Sequence, residues 1–576
     1  MRTLICLTLI CFCLAPTKPV DDEWLTPYER SGKVATSTWA DAISYYMRLA
    51  RENKQVTFDE IGLADVGRPI HLVTISNSTV TSAADARAQG NRILFINNAI
   101  HPGESCGVDA TVKLFEYLSM HRKEFSNLIV VAIPVYNIGG MLNRSKYNRS
   151  GQAGPAECGF RGNYQHLDLN RDFIKSDALN TVSFQAIFHA WKPHLFMDTH
   201  TTNGSDHQYP LTLIVSQQNK MNPILADFTY TKLEGYLYRK MAEKGKEITP
   251  YVHLVKNTPQ EGIKDFLETP RYSSGYVNLF NTIGLISEAH KYATYFDRVE
   301  YTYELLRTLC LFSNGNNNEL VRIKKLADES DRNQSQFALN WTLDTNTAET
   351  LNFMGFEFSM IESEVTGLPM RKFNRVKKQT FQIPFYRNYI ATQGVSVPKF
   401  YVIPQCYPKV ISMLKRQGTE FIPLSKDSTI LGAMYYVDVV ETSKTPYEKH
   451  FLHKIVQVSE QYQQVRFYKG DYLVALDQPV RRFLVETLEP TAADAFFRWN
   501  FFDNVLQQKE WFSDFAFEPI AKELLGSNPQ LKSEFEEAKE NDSALRNNHM
   551  AQLFWVFKRS QFYEPEHKRY PIMRVF

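Results

Sequence analysis

The run Ile93-Leu-Phe-Ile-Asn-Asn-Ala-Ile100 restricts the fold more than any other segment. Its apolar residues come in succession rather than at every second position. That pattern predicts a strand buried on both faces, inside a sheet covered by helices on either side. Further strand-like segments lie near residues 56–61, 71–76, 128–135, 194–198, 211–216 and 282–288. Residues 39–50 and 107–121 have the spacing of amphipathic helices, the second with Val108, Leu114, Phe115 and Leu118 on one side. Strands alternating with helices predict a mixed α/β sheet. Open sheets of this kind bind ligands at the carboxyl ends of their strands. The residues at that end of the opening run are His101-Pro-Gly-Glu104.

A chain of 576 residues exceeds one ordinary core. Arg2, the apolar stretch Leu4–Leu14 and the break at Ala15-Pro-Thr17 predict a signal peptide over residues 1–20. The expectation is an exported protein, periplasmic or secreted. No other apolar run reaches membrane-spanning length, so no span is expected once the signal is removed. Loss of Arg2 and Lys18 takes the basic count from 65 to 63, against 63 acidic residues. That balance predicts no nucleic-acid partner. Cys106, Cys158, Cys310 and Cys406 remain, too few for a disulfide scaffold and none in a CxxC spacing. Asn203 begins an Asn-x-Thr/Ser-type glycosylation sequon three residues from His200, where a glycan would crowd a site. The expected organisation is a catalytic domain over residues 21–315 and a connector over 316–349, opening at the polar stretch 313–319. A β-containing accessory domain over 350–490 and a helical C-terminal region over 491–576 follow.

A hydrolytic zinc site needs three protein ligands and an open position for water. His101 and Glu104 supply two from one strand end. Leu195-Phe-Met-Asp-Thr-His200 is a second apolar strand that ends in a histidine, and supplies the third. Two neutral imidazoles and one carboxylate leave the site near +1, which draws the pKa of bound water toward neutrality. Ile283-Gly-Leu-Ile-Ser-Glu288 brings a carboxylate to the same rim, placed as general base. Between these strands, Arg161 lies ten residues before Arg171, and Asn170 is adjacent. Guanidinium and amide groups in one pocket make a carboxylate clamp, and a further arginine can polarise a scissile carbonyl. Each element alone has a structural explanation, such as a core histidine, a solvated glutamate or a surface ion pair. Their joint order at successive strand ends favours the chemical reading.

His101-x-x-Glu104, Arg161-x-Asn-(x)4-Asp-Leu-Asn170-Arg171, His200 and Glu288, in that order, resemble the zinc metallocarboxypeptidase family of carboxypeptidase A type. The wider pattern, including Cys158-Gly-Phe-Arg-Gly162, is similar to exported bacterial members with a C-terminal extension. The resemblance covers roughly residues 25–315. It implies a mixed eight-stranded sheet between helices. It also implies one Zn2+ per chain on His101, Glu104 and His200, with Glu288 as general base and acid toward zinc-activated water. Asn170 and Arg171 would grip the C-terminal carboxylate of a peptide substrate, and Arg161 would stabilise the oxyanion. Arg144 and Arg149 sit in a loop that could also deliver the electrophile, and Arg144 is placed on the substrate-binding side. The family's mobile tyrosine is assigned to Tyr272, sixteen residues before Glu288, with Tyr276 as a further substrate-binding candidate. The implied activity is hydrolysis of the C-terminal peptide bond.

This chain departs from the family's pattern, and no inhibitory pro-domain is expected to fit in the roughly twenty residues between the signal and the first helix. His200 follows Arg171 by only 29 positions, and Asn137-Ile-Gly-Gly140 stands where the family has Asn-Pro-Asp-Gly. The segments 201–210 and 261–276 mix Tyr, His, Asp and Arg, so they point to no particular C-terminal side chain. One alternative is an exported zinc amidase acting on peptidoglycan-derived peptides or N-acyl amino acids; the acylase branch would lack the complete clamp. A second is a catalytically inactive peptide- or glycan-binding protein, which would not need Glu288.

Overall fold

Arg92–Asn97 is buried at all six positions, and its neighbours explain why. In a computed structural model, which describes residues 24–76, 80, 82–202 and 205–576, this strand is β3 of an eight-stranded mixed sheet. The others are β1 (Val56–Leu63), β2 (Pro69–Ser76), β4 (Leu128–Ile133), β5 (Leu195–Thr202), β6 (Leu211–Val215), β7 (Thr249–Pro250) and β8 (Ile283–His290). Their spatial order is β1-β2-β4-β3-β5-β8-β6-β7. The central strands β4, β3, β5 and β8 run parallel. β2 pairs antiparallel with both β1 and β4, and β6 antiparallel with β8.

Side-chain alternation along β3 builds two layers. Ile93 and Phe95 face Phe184, Ile187 and Phe188 of helix Leu179–Trp191, and the Phe95 and Phe184 rings stack at 5.3 Å. Leu94 and Ile96 face the opposite layer, formed by Leu114 and Phe115 of helix Cys106–Met120 and Leu305 and Leu309 of helix Tyr295–Gly315. Helix Trp39–Glu52 starts where Thr38 and Asp41 form a capping box, and it adds Tyr45, Tyr46 and Leu49 to the second layer. Each such buried side chain contributes about 1.5–3 kcal/mol.

Beyond residue 315 the structure differs from the expected polar boundary and connector. Residues 317–333 form a helix whose Leu320, Ile323 and Ala327 join the second layer's core. The spacing i, i+3, i+7 gives one buried stripe on an otherwise polar helix, so its composition reads as linker. Gln336–Leu343 follows as a strand. Two long hairpins then dominate, Glu349–Glu362 with Pro369–Tyr386 and Ser428–Thr442 with His453–Phe467.

The last 86 positions carry helices Asp514–Ser527, Pro529–Asn541 and His549–Phe557. They end in strand Met573–Val575, which inserts between Phe400–Ile403 and Ser428–Thr442. Residues 350–490 and 491–576 therefore share a six-stranded sheet. The C-terminal half also joins the catalytic half. Phe385 and Tyr386 pair with Ile263 and Lys264, and Phe280 stacks on Phe483 at 5.6 Å. The expected signal peptide and Asn203 lie outside the described residues. Among the described residues no helix is long and apolar enough to cross a membrane, and Cys106, Cys158, Cys310 and Cys406 are free thiols.

Candidate active site

Just past the end of β3, Ala99 adopts a left-handed φ of 55°, which an L residue holds only when its surroundings impose it. Here Asn137 fixes the loop, its backbone N–H donating to Ala99 O and its side chain to Ile100 O, both at 3.2 Å. Pro102 and Gly103 then occupy the centre of a turn closed by Glu104 N–H donating to His101 O at 2.8 Å. That turn sets the His101 and Glu104 side chains next to each other. Gly107 permits the next contact, because a Cβ there would lie 1.9 Å from Thr199 Oγ1. Helix Cys106–Met120 thus starts directly against β5, the strand that carries His200. His200 and Glu288 are paired neighbours on the parallel strands β5 and β8.

Both imidazoles turn Nδ1 toward Glu104 Oε2, at 3.4 Å from His101 and 3.1 Å from His200. Their Nε2 atoms face carboxylates, Asp168 Oδ1 at 2.9 Å for His101 and Asp198 Oδ2 at 3.1 Å for His200. At His101 an Nε2 proton directed at Asp168 leaves the Nδ1 lone pair for a metal, a common way of orienting histidine ligands, whereas at His200 it is Nδ1 that meets Glu104 Oε2 at hydrogen-bond distance and Nε2 has no hydrogen-bond partner. His101 Nδ1 is buried without a hydrogen-bond partner, which is costly unless a ligand takes it. One donor atom from each of His101, Glu104 and His200 lies within 4.8 Å of the other two, and all three residues are buried. Two imidazoles and a carboxylate are a donor set that suits zinc.

Burial opposes charge on Glu104, but His101, His200 and Arg149 hold its carboxyl well below the usual range. Burial also opposes a protonated His200, yet Asp198, Glu104 and Glu288 push its pKa well above the usual value. Burial raises Glu288 to about 7; His200 offsets part of this and the Glu104 charge adds to it. A divalent cation on the three donors would disfavour protonation of His200.

The arginines surround this cluster. Arg149 donates from Nη1 to Glu104 Oε1 at 2.9 Å and from Nη2 to Thr201 O at 3.0 Å. Arg161 donates from Nε and Nη2 to Asp168 Oδ2 at 3.1 and 2.8 Å, and its Nη1 is 3.5 Å from Glu104 Oε1. Arg171 donates from Nη1 to Asn170 O at 2.8 Å and from Nε to the Tyr447 hydroxyl at 3.1 Å. Its guanidinium sits 4.3 Å from the centre of the Tyr272 ring. Asn170 Oδ1 accepts the Ser273 N–H at 3.0 Å. His101, Glu104, Arg161, Asn170, Arg171, His200, Tyr272 and Glu288 line one cavity of about 170 Å³, whose walls are completed by apolar Ile214, Phe266 and Ile286 and by Thr201, Thr202 and Tyr251. A larger cavity of about 560 Å³, around Tyr407, Phe467 and His567 in the C-terminal half, contains none of these residues.

Two residues expected at the site are elsewhere. Tyr276 is fully buried among Phe173, Phe184, Phe188 and Phe280, and its hydroxyl meets His189 and Gln417. It lies one turn into helix Ser273–Asn278 and faces the core, whereas Tyr272 caps that helix and faces the cavity. Arg144 donates instead to Glu157 O at 3.0 Å, and Arg149 occupies the position against Glu104. Asp168, Asp198, Tyr251, Phe266, Ile214, Ile286 and Tyr447 are additional site residues. Asp198 has a signal in the sequence, since it precedes His200 by two residues on one strand and so shares its face. Tyr447 has none, being 276 residues from Arg171.

Residues 43–308 match the Peptidase_M14 family model, described as zinc carboxypeptidase. Among solved structures the chain is similar to a metallo-carboxypeptidase from Pseudomonas aeruginosa in complex with (2-guanidinoethylmercapto)succinic acid. That match has 14% identity and a TM-score of 0.36, covering 48% of this chain and 68% of that one. It is also similar to carboxypeptidase A from Helicoverpa armigera, at 14% identity and a TM-score of 0.36, covering 48% and 74%. No curated protein sequence matches the chain.

Proposed function

We propose that the zinc carboxypeptidase domain at residues 43–308 removes the C-terminal residue of peptides, with one zinc on His101, Glu104 and His200. One arrangement supports this reading. The three converging donors share a cavity with Glu288, Asn170 and Arg171, so a metal, a base and a carboxylate clamp are within reach of one peptide end. A zinc held there would supply a Lewis acid for activating water and polarising the scissile carbonyl. Arg171 and Asn170 hold the substrate's terminal carboxylate through charge-assisted hydrogen bonds. Glu288 accepts a proton from the attacking water on its carboxylate and passes it to the leaving amine. Arg161, anchored by Asp168 and with its Nη1 3.5 Å from Glu104 Oε1, would stabilise the oxyanion that develops beside that carboxylate. We place the protein outside the cytoplasm, on the signal-like composition of residues 1–20.

The cavity walls suggest a preference. Ile214 and Ile286 are paired across β6 and β8, and Phe266 and Tyr251 complete that side. Apart from the groups already assigned to chemistry, no charged side chain lines it among the described residues. A C-terminal Phe or Leu would be bound there without leaving a charge unpaired.

Blocked dipeptides ending in Phe, Leu, Lys or Glu, each with a free or amidated terminus, test the reading. Release of the terminal residue from the free-acid peptides is expected, with kcat/KM for Phe and Leu at least about tenfold above Lys and Glu. Equal turnover of amidated peptides would refute the carboxylate clamp. Faster turnover of Lys or Glu peptides would refute the apolar pocket.

A further inference from the structure

The turn at residues 443–452 joins the strands Ser428–Thr442 and His453–Phe467 of the C-terminal half, yet it contacts Arg171, which lines the catalytic cavity, and Asp168 behind it. The Tyr447 hydroxyl accepts the Arg171 Nε–H at 3.1 Å. Glu448 Oε2 accepts the Asp168 N–H at 2.8 Å. Asp168 is in turn the carboxylate that holds both His101 and Arg161. Two consecutive residues of a distant segment therefore touch two anchor points of the cavity.

The turn that delivers them has a disfavoured shape. Tyr447 and His450 exchange backbone hydrogen bonds at 2.7 and 3.1 Å. Between them, Glu448 and Lys449 have φ values of 50° and 74°. Two successive left-handed residues suit a two-residue hairpin, but such positions normally hold Gly or Asn. Contacts outside the turn fix it here. The Tyr447 ring stacks on buried Trp499 at 6.2 Å and 19°, and His450 Nε2 is 2.7 Å from Asp177 Oδ2.

These contacts determine how Arg171 is presented. Its Nε–H is taken by Tyr447, one Nη1 proton by Asn170 O, and one face by Tyr272. The second Nη1 proton and those of Nη2 remain for a carboxylate. We propose that Tyr447 is a positioning residue for substrate binding, which locks the Arg171 guanidinium end-on to the cavity, with Glu448 holding the turn against Asp168. The C-terminal half is then part of the substrate site. This inference rests on the reading of Arg171 as the carboxylate clamp.

Tyr447→Phe in the full chain removes only the hydroxyl. For a blocked dipeptide with a free terminus, KM should rise roughly tenfold, as expected for losing a hydrogen bond to a charged group, while kcat stays within about twofold. The inhibition constant of the free product amino acid should rise by the same factor. Arg171→Ala should raise both quantities further. If Tyr447→Phe leaves both near wild type while Arg171→Ala moves them, the positioning role is wrong and the clamp survives. A lower melting temperature and lower kcat with unchanged KM would make Tyr447 a structural prop, which also overturns the proposal. If Arg171→Ala moves neither constant, the clamp fails and takes this inference with it.

Discussion

Glu288 faces His200 across two parallel strands, and that register decides what its carboxylate can reach. Glu288→Gln preserves size and removes the proposed proton acceptor. We expect this variant to bind zinc like the parent, by metal analysis of dialysed protein, and to lose about 10²–10⁴ in kcat. A near-normal kcat would remove Glu288 from the chemistry. At this scale, most of the candidate site is legible where chemistry demands a residue type at the end of an apolar run. His101, Glu104, His200 and Glu288 satisfy that condition, and so does the Arg161–Arg171 segment with its fixed spacing. Tyr276 and Arg144 are misplaced for a different reason. Tyr272 and Tyr276 are one helical turn apart, so which of them faces the cavity depends on how helix Ser273–Asn278 is rotated. Arg144 and Arg149 lie in one aperiodic loop, where spacing carries no direction.

Strands and turns position these groups in sets. β5 carries His200 together with Asp198, and Asp198 is itself fixed by Ser273 Oγ at 2.6 Å and Asn97 Nδ2 at 3.2 Å. The loop bearing Asp172 and Asp177 meets the C-terminal half through Asp177, which faces His450 at 2.7 Å and Lys409 Nζ at 3.1 Å. Burial disfavours the Asp177 carboxylate, but the His450 hydrogen bond and the charges of Lys175, His450 and Lys409 hold its pKa below the ordinary value. A carboxyl depressed in the folded state adds stability above its unfolded pKa, about 4, and loses it as pH falls toward the folded value. Asp177→Asn should therefore lower the melting temperature at pH 7, with the gap to the parent narrowing below about pH 4. A constant gap between neutral and acid pH would show that the charge is not what docks this element. Helix 317–333 illustrates why elements can be illegible: three apolar positions bury it, and the rest of its residues read as a linker.

Across the whole molecule, the two halves are continuous. Ile187, Tyr276 and Val277 belong to the same apolar cluster as Phe483, Leu484 and Phe496. Several side chains worth about 1.5–3 kcal/mol each are a large share of a total stability near 5–15 kcal/mol. Heating the full chain in a calorimeter should thus give one cooperative transition, and two independent transitions would contradict a shared core. The α/β half is legible because strand and helix periods are local properties. In the C-terminal half the β-containing and helical character is legible too, but the pairings are not, because Phe385 with Ile263 and Phe400 with Val575 join segments far apart in the chain. The proposed reaction is removal of a C-terminal residue by a zinc on His101, Glu104 and His200. It is tested most directly by stripping the metal with a chelator, removing the chelator, and titrating zinc back while following terminal-residue release from a blocked dipeptide. Release should stop in the stripped protein and return in proportion to added zinc, reaching a plateau at one zinc per chain. Undiminished release from protein shown to be free of metal would contradict that role for the zinc.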